Sequence, residues 1–229
     1  CSTLIAEAYG LMRSGLGMAP AAIADVFEGW TKGPLASYLT EITVQALRTT
    51  DPATGKPLVD IILDSAGQKG TGRWSAIEAL DLGVPASAIA AAVEARGLSS
   101  MRSLRQAVNG VLGDAERSAI GTATPEIIAE IEKTLLTGKI LAYAQGFDVL
   151  AAGSKQFGWD LPLAEIAKIW RAGCIIRSRM LDSMSRAYSA TPAPESLILD
   201  PDFAGELKAS LPAARKILGL AVANGHPVP

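Results

Sequence analysis

The chain is short of several things that chemistry commonly uses. It has one histidine and two cysteines in 229 residues. With scattered carboxylates, these give no ligand set for a metal ion. A Ser-His-Asp triad would need His226, which sits in a Gly/Pro tail and reads as a solvated terminal residue; no nucleophile elbow accompanies it. Cys1 and Cys174 lie too far apart in a chain this poor in cysteine to suggest a disulfide framework, and point to a reducing compartment. Charged residues make up only 19% with a net charge of −2, and aromatics 5%. Nucleic-acid binding is therefore not expected, since there is neither a basic face for phosphates nor a stacking platform. No apolar run approaches the roughly 20 residues that a bilayer requires, and the first residues show no secretory pattern. The expectation is a soluble, cytoplasmic chain.

Apolar residues are plentiful at 49%, enough for a substantial core. A positive mean hydropathy with so little charge suggests an interior shared with a second subunit. Periodicity predicts helix almost throughout. Leu4, Ile5, Ala8, Leu11 and Met12 already follow helical spacing, as though the chain were cut inside a longer helix, and that run ends near Gly15 and Gly17. Pro20 opens a second helix with Ile23, Val26, Phe27 and Trp30 on one face. A third starts at Gly33-Pro34 and carries Leu35, Leu39, Ile42, Ala46 and Leu47. Residues 51–57 are a turn cluster, and 58–63 a short apolar run read as helix. Further helices are expected at 73–82, 85–96 and 99–108, then a polar connection over 109–122.

Thr124-Pro125-Glu126 combines a capping hydroxyl, a first-turn proline and an acid at the positive helix end. The pattern beyond it predicts one helix of about 30 residues, about 45 Å long, which again favours a dimer. Pro162 opens another helix through Trp170, and residues 172–188 continue or follow it. Within that span, Trp170-Arg171-Ala172-Gly173-Cys174-Ile175-Ile176-Arg177-Ser178 reads as helix whose two arginines are paired or reach solvent. Two weaker helices, 200–209 and 211–224, close the chain. An internal echo also appears. Ala6-Glu7-Ala8-Tyr9-Gly10-Leu11 is similar to Ala142-Tyr143-Ala144-Gln145-Gly146-Phe147, and Ile23-Ala24-Asp25-Val26-Phe27 to Ile166-Ala167-Lys168-Ile169-Trp170, about 140 residues later. The fold expected is all-α, with a long central helix and a tandem duplication whose halves span about 1–120 and 121–229. Chance matching of apolar helices is the alternative.

One stretch stands apart from this helical background. Residues 64–74 read D-S-A-G-Q-K-G-T-G-R-W, with Gly67, Gly70 and Gly72 around Lys69 and Thr71. A helical pattern follows at once, so the loop feeds a helix N-terminus. Free N–H groups, the positive dipole end and an ammonium together suit an oxyanion, above all phosphate. The order is neither Walker A nor G-x-G-x-x-G. Taken alone, a glycine-rich turn with one lysine reads more readily as a plain surface loop than as an anion site.

Extended to Ile62-Leu63-Asp64-Ser65-Ala66-Gly67-Gln68-Lys69-Gly70-Thr71-Gly72-Arg73-Trp74, it resembles the signature of the 6-phosphogluconate dehydrogenases. Glu94-Ala95-Arg96-Gly97-Leu98-Ser99-Ser100, Tyr143-Ala144-Gln145-Gly146-Phe147 and the stretch 169–178 resemble that family too, in the same order. The likeness covers the family's large all-α domain in its long-chain form, whose two halves are similar. It implies NADP-dependent oxidative decarboxylation of 6-phosphogluconate to ribulose 5-phosphate by a homodimer in the pentose phosphate pathway. By match with the family, Lys69, Thr71 and Arg96 would bind the substrate phosphate. Arginine's planar fork and lysine's point charge are physically suited to that task. Without the motif, Arg96 would read as a cation at a helix C-terminus.

The family's catalytic lysine and glutamate, needed to move protons during decarboxylation, and its Rossmann domain fall upstream of the position matching Cys1. Glu7 lies after that glutamate and is not it. The family's tail, which carries an arginine and a histidine to the phosphate of the other subunit, falls beyond Pro229. No catalytic residue is therefore expected in this chain. It would act as the substrate-binding and dimer-forming part of the enzyme, inactive alone. The competing reading is a helical dimerisation module that keeps the motif without binding substrate.

Overall fold

A hydroxyl cap and a first-turn proline start the helix around which the molecule is assembled. In the computed structural model, which describes residues 2–67 and 69–229, Thr124 caps α7 (Pro125–Phe157) by accepting from the N–H of Ile127. The same hydroxyl holds the Glu126 carboxyl below the usual carboxylate range. α7 runs for 33 residues and stops at Gly158, whose φ of 65° is the left-handed conformation that suits glycine after a helix end. Its inner face buries Ile131, Leu135, Ile140, Ala144 and Phe147.

Everything else leans on this rod. α1 (Ser2–Gly10), extended by a π-turn over Leu11–Gly15, and α10 (Pro201–Ala223) pack against it. α2 (Pro20–Trp30) and α3 (Tyr38–Arg48) form a helical hairpin, and α8 (Leu163–Ile169) and α9 (Met180–Tyr188) form another. α5 (Ser87–Ser100) also lies on α7, with α4 (Thr71–Asp81) and α6 (Arg102–Leu112) outside it. Phe147 sits fully buried between Trp170, edge-on at 5.3 Å, and Tyr188, stacked at 5.3 Å. Among the described residues there is no strand, only the isolated bridges Ser37–Ser178 and Thr50–Pro57, so the all-α expectation holds. At the first bridge the two hairpins exchange bonds: Tyr38 N–H to Arg177 C=O and Arg179 N–H to Ala36 C=O, both 3.0 Å.

The structure corrects several sequence-based expectations. The two closing helices are one, because the inner face of α10 (Phe203, Leu207, Ala214, Ile217) buries continuously across Pro212. A proline inside a helix costs about 3 kcal/mol, and this uninterrupted packing offsets it. Just before the proline, Ser210 on α10 meets Thr137 on α7 through a buried 2.7 Å hydroxyl bond. Residues 58–63 form only a single 3₁₀ turn, Leu58–Asp60. The third helix starts not at Pro34 but at Tyr38, after Ser37 caps it through Thr40 N–H.

The segment from Trp170 to Ser178 is irregular, not helical. Gly173 turns left-handed at φ 67°, and the chain then extends to reach Ser37. Its arginines are paired, Arg171 with Asp182 and Arg177 with Glu41. His226 is buried, not solvated: its Nε2 lies 2.7 Å from Ser118 C=O. Gly225 allows this, since its φ is 74° and a Cβ there would stand 2.4 Å from Glu116 O. Cys1 and Gln68 lie outside the described residues, so the reading of the cysteines rests here on Cys174, which is free.

Candidate substrate-binding site

The glycine loop leads into α4, and two of its glycines are required by geometry. Gly70 takes φ 99° as the residue before the helix, a conformation side chains rarely adopt. A Cβ on Gly72 would come within 3.1 Å of Val93 Cγ2, so the first turn of α4 lies tight against α5. Thr71 is the first residue of α4 and is exposed. The leading N–H groups of this 11-residue helix have no carbonyl a turn earlier to bond.

Lys69 is exposed on the loop and forms no ion pair among the described residues. Arg96, on α5, reaches back across the gap and donates from Nη2 to Gly67 C=O, two residues from Lys69. A guanidinium carries five N–H donors, so this contact leaves it others. Lys69, Thr71 and Arg96 are thus brought to one loop and its flanking helix.

Contacts that were not singled out in the sequence hold the loop's other end. Arg105, on α6, donates to the Asp64 carboxylate at 2.9 Å and the Asp64 carbonyl at 2.8 Å. It also donates to Ser99 C=O at 3.1 Å. The Ser99 hydroxyl accepts from Ala66 N–H at 3.2 Å. Hydrogen bonding from Arg105, helped by its charge and that of Arg102, holds the Asp64 carboxyl below the ordinary range. Asp64 and Arg105 are 41 residues apart, and no local pattern links them. Arg96 and Arg105 thus bond the loop that carries Lys69, the charge of Arg102 acts on Asp64, and Asp64, the one acid in the stretch 64–74, is already paired. Among the described residues no three His, Cys, Asp or Glu side chains come together to hold a metal.

Fold and loop define an all-helical domain in which a glycine-rich, lysine-bearing turn opens a helix and is bonded by arginines from two further helices. Comparison with known proteins gives that class a name. Residues 2–229 match the family model "6-phosphogluconate dehydrogenase, C-terminal domain", and the chain belongs to that family. It is 43% identical over 226 residues to the NADP(+)-dependent, decarboxylating 6-phosphogluconate dehydrogenase of Bacillus subtilis (strain 168), covering 99% of this chain and 48% of that protein. It is 41% identical to the NAD(+)-dependent enzyme of the same organism, with the same coverage. The Plasmodium falciparum 6-phosphogluconate dehydrogenase, solved in apo form and with NADP+ or 6-phosphogluconate, superposes with a TM-score of 0.93 at 36% identity. That match takes in 99% of this chain and 49% of the other. The chain spans about half the length of the curated relatives it matches.

Proposed function

We propose that this domain binds the phosphate end of 6-phosphogluconate and forms the dimer contact of an enzyme that oxidatively decarboxylates that substrate to ribulose 5-phosphate while reducing NADP. The observation that carries the reading is the meeting of Arg96 with the Lys69 loop at the start of α4. Lys69 supplies a mobile point charge and Arg96 a planar fork. Thr71 supplies its hydroxyl or its backbone N–H, and the dipole of α4 favours the dianion. Gripping the phosphate at the far end of a six-carbon acid fixes where the reacting carbons lie. That is a positioning contribution, made with binding energy remote from the chemistry.

The dinucleotide's pyrophosphate finds no matching fingerprint among the described residues. The glycine order G-x-x-G-x-G follows no strand, so the dinucleotide fingerprint is not met and no step is assigned through the cofactor. Identities of 43% and 41% to an NADP- and an NAD-dependent relative also leave the choice of nicotinamide unmarked in this domain.

Support for the dimer comes from α6, which buries none of its residues and exposes Leu104, Val108, Val111 and Leu112. The whole chain reads as one domain made of two related halves, about 1–120 and 121–229. The paired hairpins and the reciprocal bonds between them support that duplication. Among the described residues no helix is long and apolar enough to cross a membrane.

Calorimetric titration with 6-phosphogluconate tests the central claim. Weak binding is expected for the chain, falling about tenfold or more in Lys69→Ala and Arg96→Ala, as the loss of a charge-assisted contact requires. Absence of binding would leave a helical dimerisation module without substrate binding, and variants that bind like the parent would take the phosphate contact away from Lys69 and Arg96.

A further inference from the structure

The loop that bears Lys69 is tied to the rest of the site by a side chain outside it. Arg105 bridges the carboxylate and carbonyl of Asp64 to the carbonyl of Ser99, near the end of α5. Ser99 returns a bond to the loop at Ala66 N–H. Arg96 lies on the same helix, one turn before Ser99. The Arg105 guanidinium therefore joins the loop backbone to α6 and to the end of α5, beside the direct bond of Arg96 to Gly67 C=O.

The other ties between loop and α5 each hold one point: Arg96 at Gly67 C=O, Ser99 at Ala66 N–H, and the close approach of Gly72 to Val93. None of the residues of α5 or α6 is fully buried, and residues 64–67 contribute nothing to the core. An exposed ion pair alone is worth little. Here the same side chain also makes two charge-assisted bonds to backbone carbonyls, in a fork that only arginine can supply.

We propose that Arg105 is the positioning residue of the phosphate cradle: it holds residues 64–67 against the junction of α5 and α6, so that Lys69 and Arg96 converge on one phosphate. The inference rests on the phosphate-binding reading above and goes beyond it in assigning this role to a residue that need not touch substrate.

The test uses the full chain and its Arg105→Met, Arg105→Lys and Lys69→Ala variants. Hydrogen exchange reports on residues 64–72, and ³¹P NMR titration with 6-phosphogluconate reads weak affinity. Arg105→Met should exchange about tenfold faster over those residues and bind about tenfold more weakly, with α7 amides and the thermal midpoint unchanged. Arg105→Lys, able to make one of the contacts, should fall between the two. Loop exchange and affinity equal to the parent would overturn the proposal. So would faster exchange at unchanged affinity, or a general loss of stability in place of a local one. If Lys69→Ala binds like the parent, the phosphate reading itself falls. Faster loop exchange in Arg105→Met would then mark a clamp with nothing to position, so the two failures read apart.

Discussion

Replacing Lys139 by methionine should make the protein more stable at neutral pH, and by an amount that disappears on raising the pH. Lys139 lies on α7 and is only 6% exposed, and its Nζ has no hydrogen-bond partner among the described residues. Leu4, Ile5, Leu35, Leu135 and Ile176 line the small pocket around it. Arg177, on the same pocket, is committed to Glu41. Burial accordingly pushes the ammonium down from 10.5 to about 8.

A displacement of that size corresponds to about 3 kcal/mol, at about 1.4 kcal/mol per unit. The sign follows from proton counting. Between about pH 8 and 10.5 the unfolded chain holds a proton that the folded chain has released, so stability rises with pH across that window. Below it the full penalty is present. Methionine keeps the length and flexibility of the lysine stem without a charge. Urea unfolding of both proteins at pH 7, 8, 9 and 10 should show the variant ahead by about 3 kcal/mol at pH 7. The gap should narrow steadily above pH 8. Taking the difference removes titrations common to both proteins. A gap that ignores pH, or a variant less stable at pH 7, would refute the reasoning, because either would mean that the ammonium has an acceptor in the folded state.

The remaining predictions concern packing, association and the site. Phe147→Ala removes a fully buried ring that touches Trp170 and Tyr188 and should cost about 3–5 kcal/mol in thermal or urea unfolding; a loss below about 1 kcal/mol would contradict the packing described. Leu104→Glu with Val108→Glu, on the exposed stripe of α6, should weaken self-association by about a hundredfold in analytical ultracentrifugation, and an unchanged mass would place the dimer contact elsewhere. Lys69→Ala and Arg96→Ala should each weaken 6-phosphogluconate binding, while Arg105→Met should do so together with faster exchange in the loop.

Two helix starts were legible from the chain through local stereochemical signals, whereas the local Ser37 cap of α3 was passed over for Gly33-Pro34. Pro20 opens α2, and Thr124-Pro125-Glu126 opens α7, because caps and first-turn prolines act within four residues. Gly158 and Gly173 act through their own φ angles, but the sequence reading took neither as a stop. The other failures share a cause. Pro212 looks like a helix break until the unbroken burial of α10 against α7 is counted, and residues 170–178 look helical until their partner, Ser37, comes into view. His226 looks like a tail residue until residues 116–118 close over it.

The same division runs through the site. Glycine spacing around Lys69, its entry into a helix and the family likeness were all present in the chain, because backbone permissiveness and dipole direction are properties of contiguous residues. Local chemistry determined that this would be an all-helical domain with a glycine-rich, lysine-bearing turn at the start of a helix. Only the tertiary structure could bring Arg96 onto Gly67, link Asp64 to Arg105 and leave Lys139 buried without an acceptor. Those relations join residues tens of positions apart, and they exist only once α5, α6 and α7 have packed.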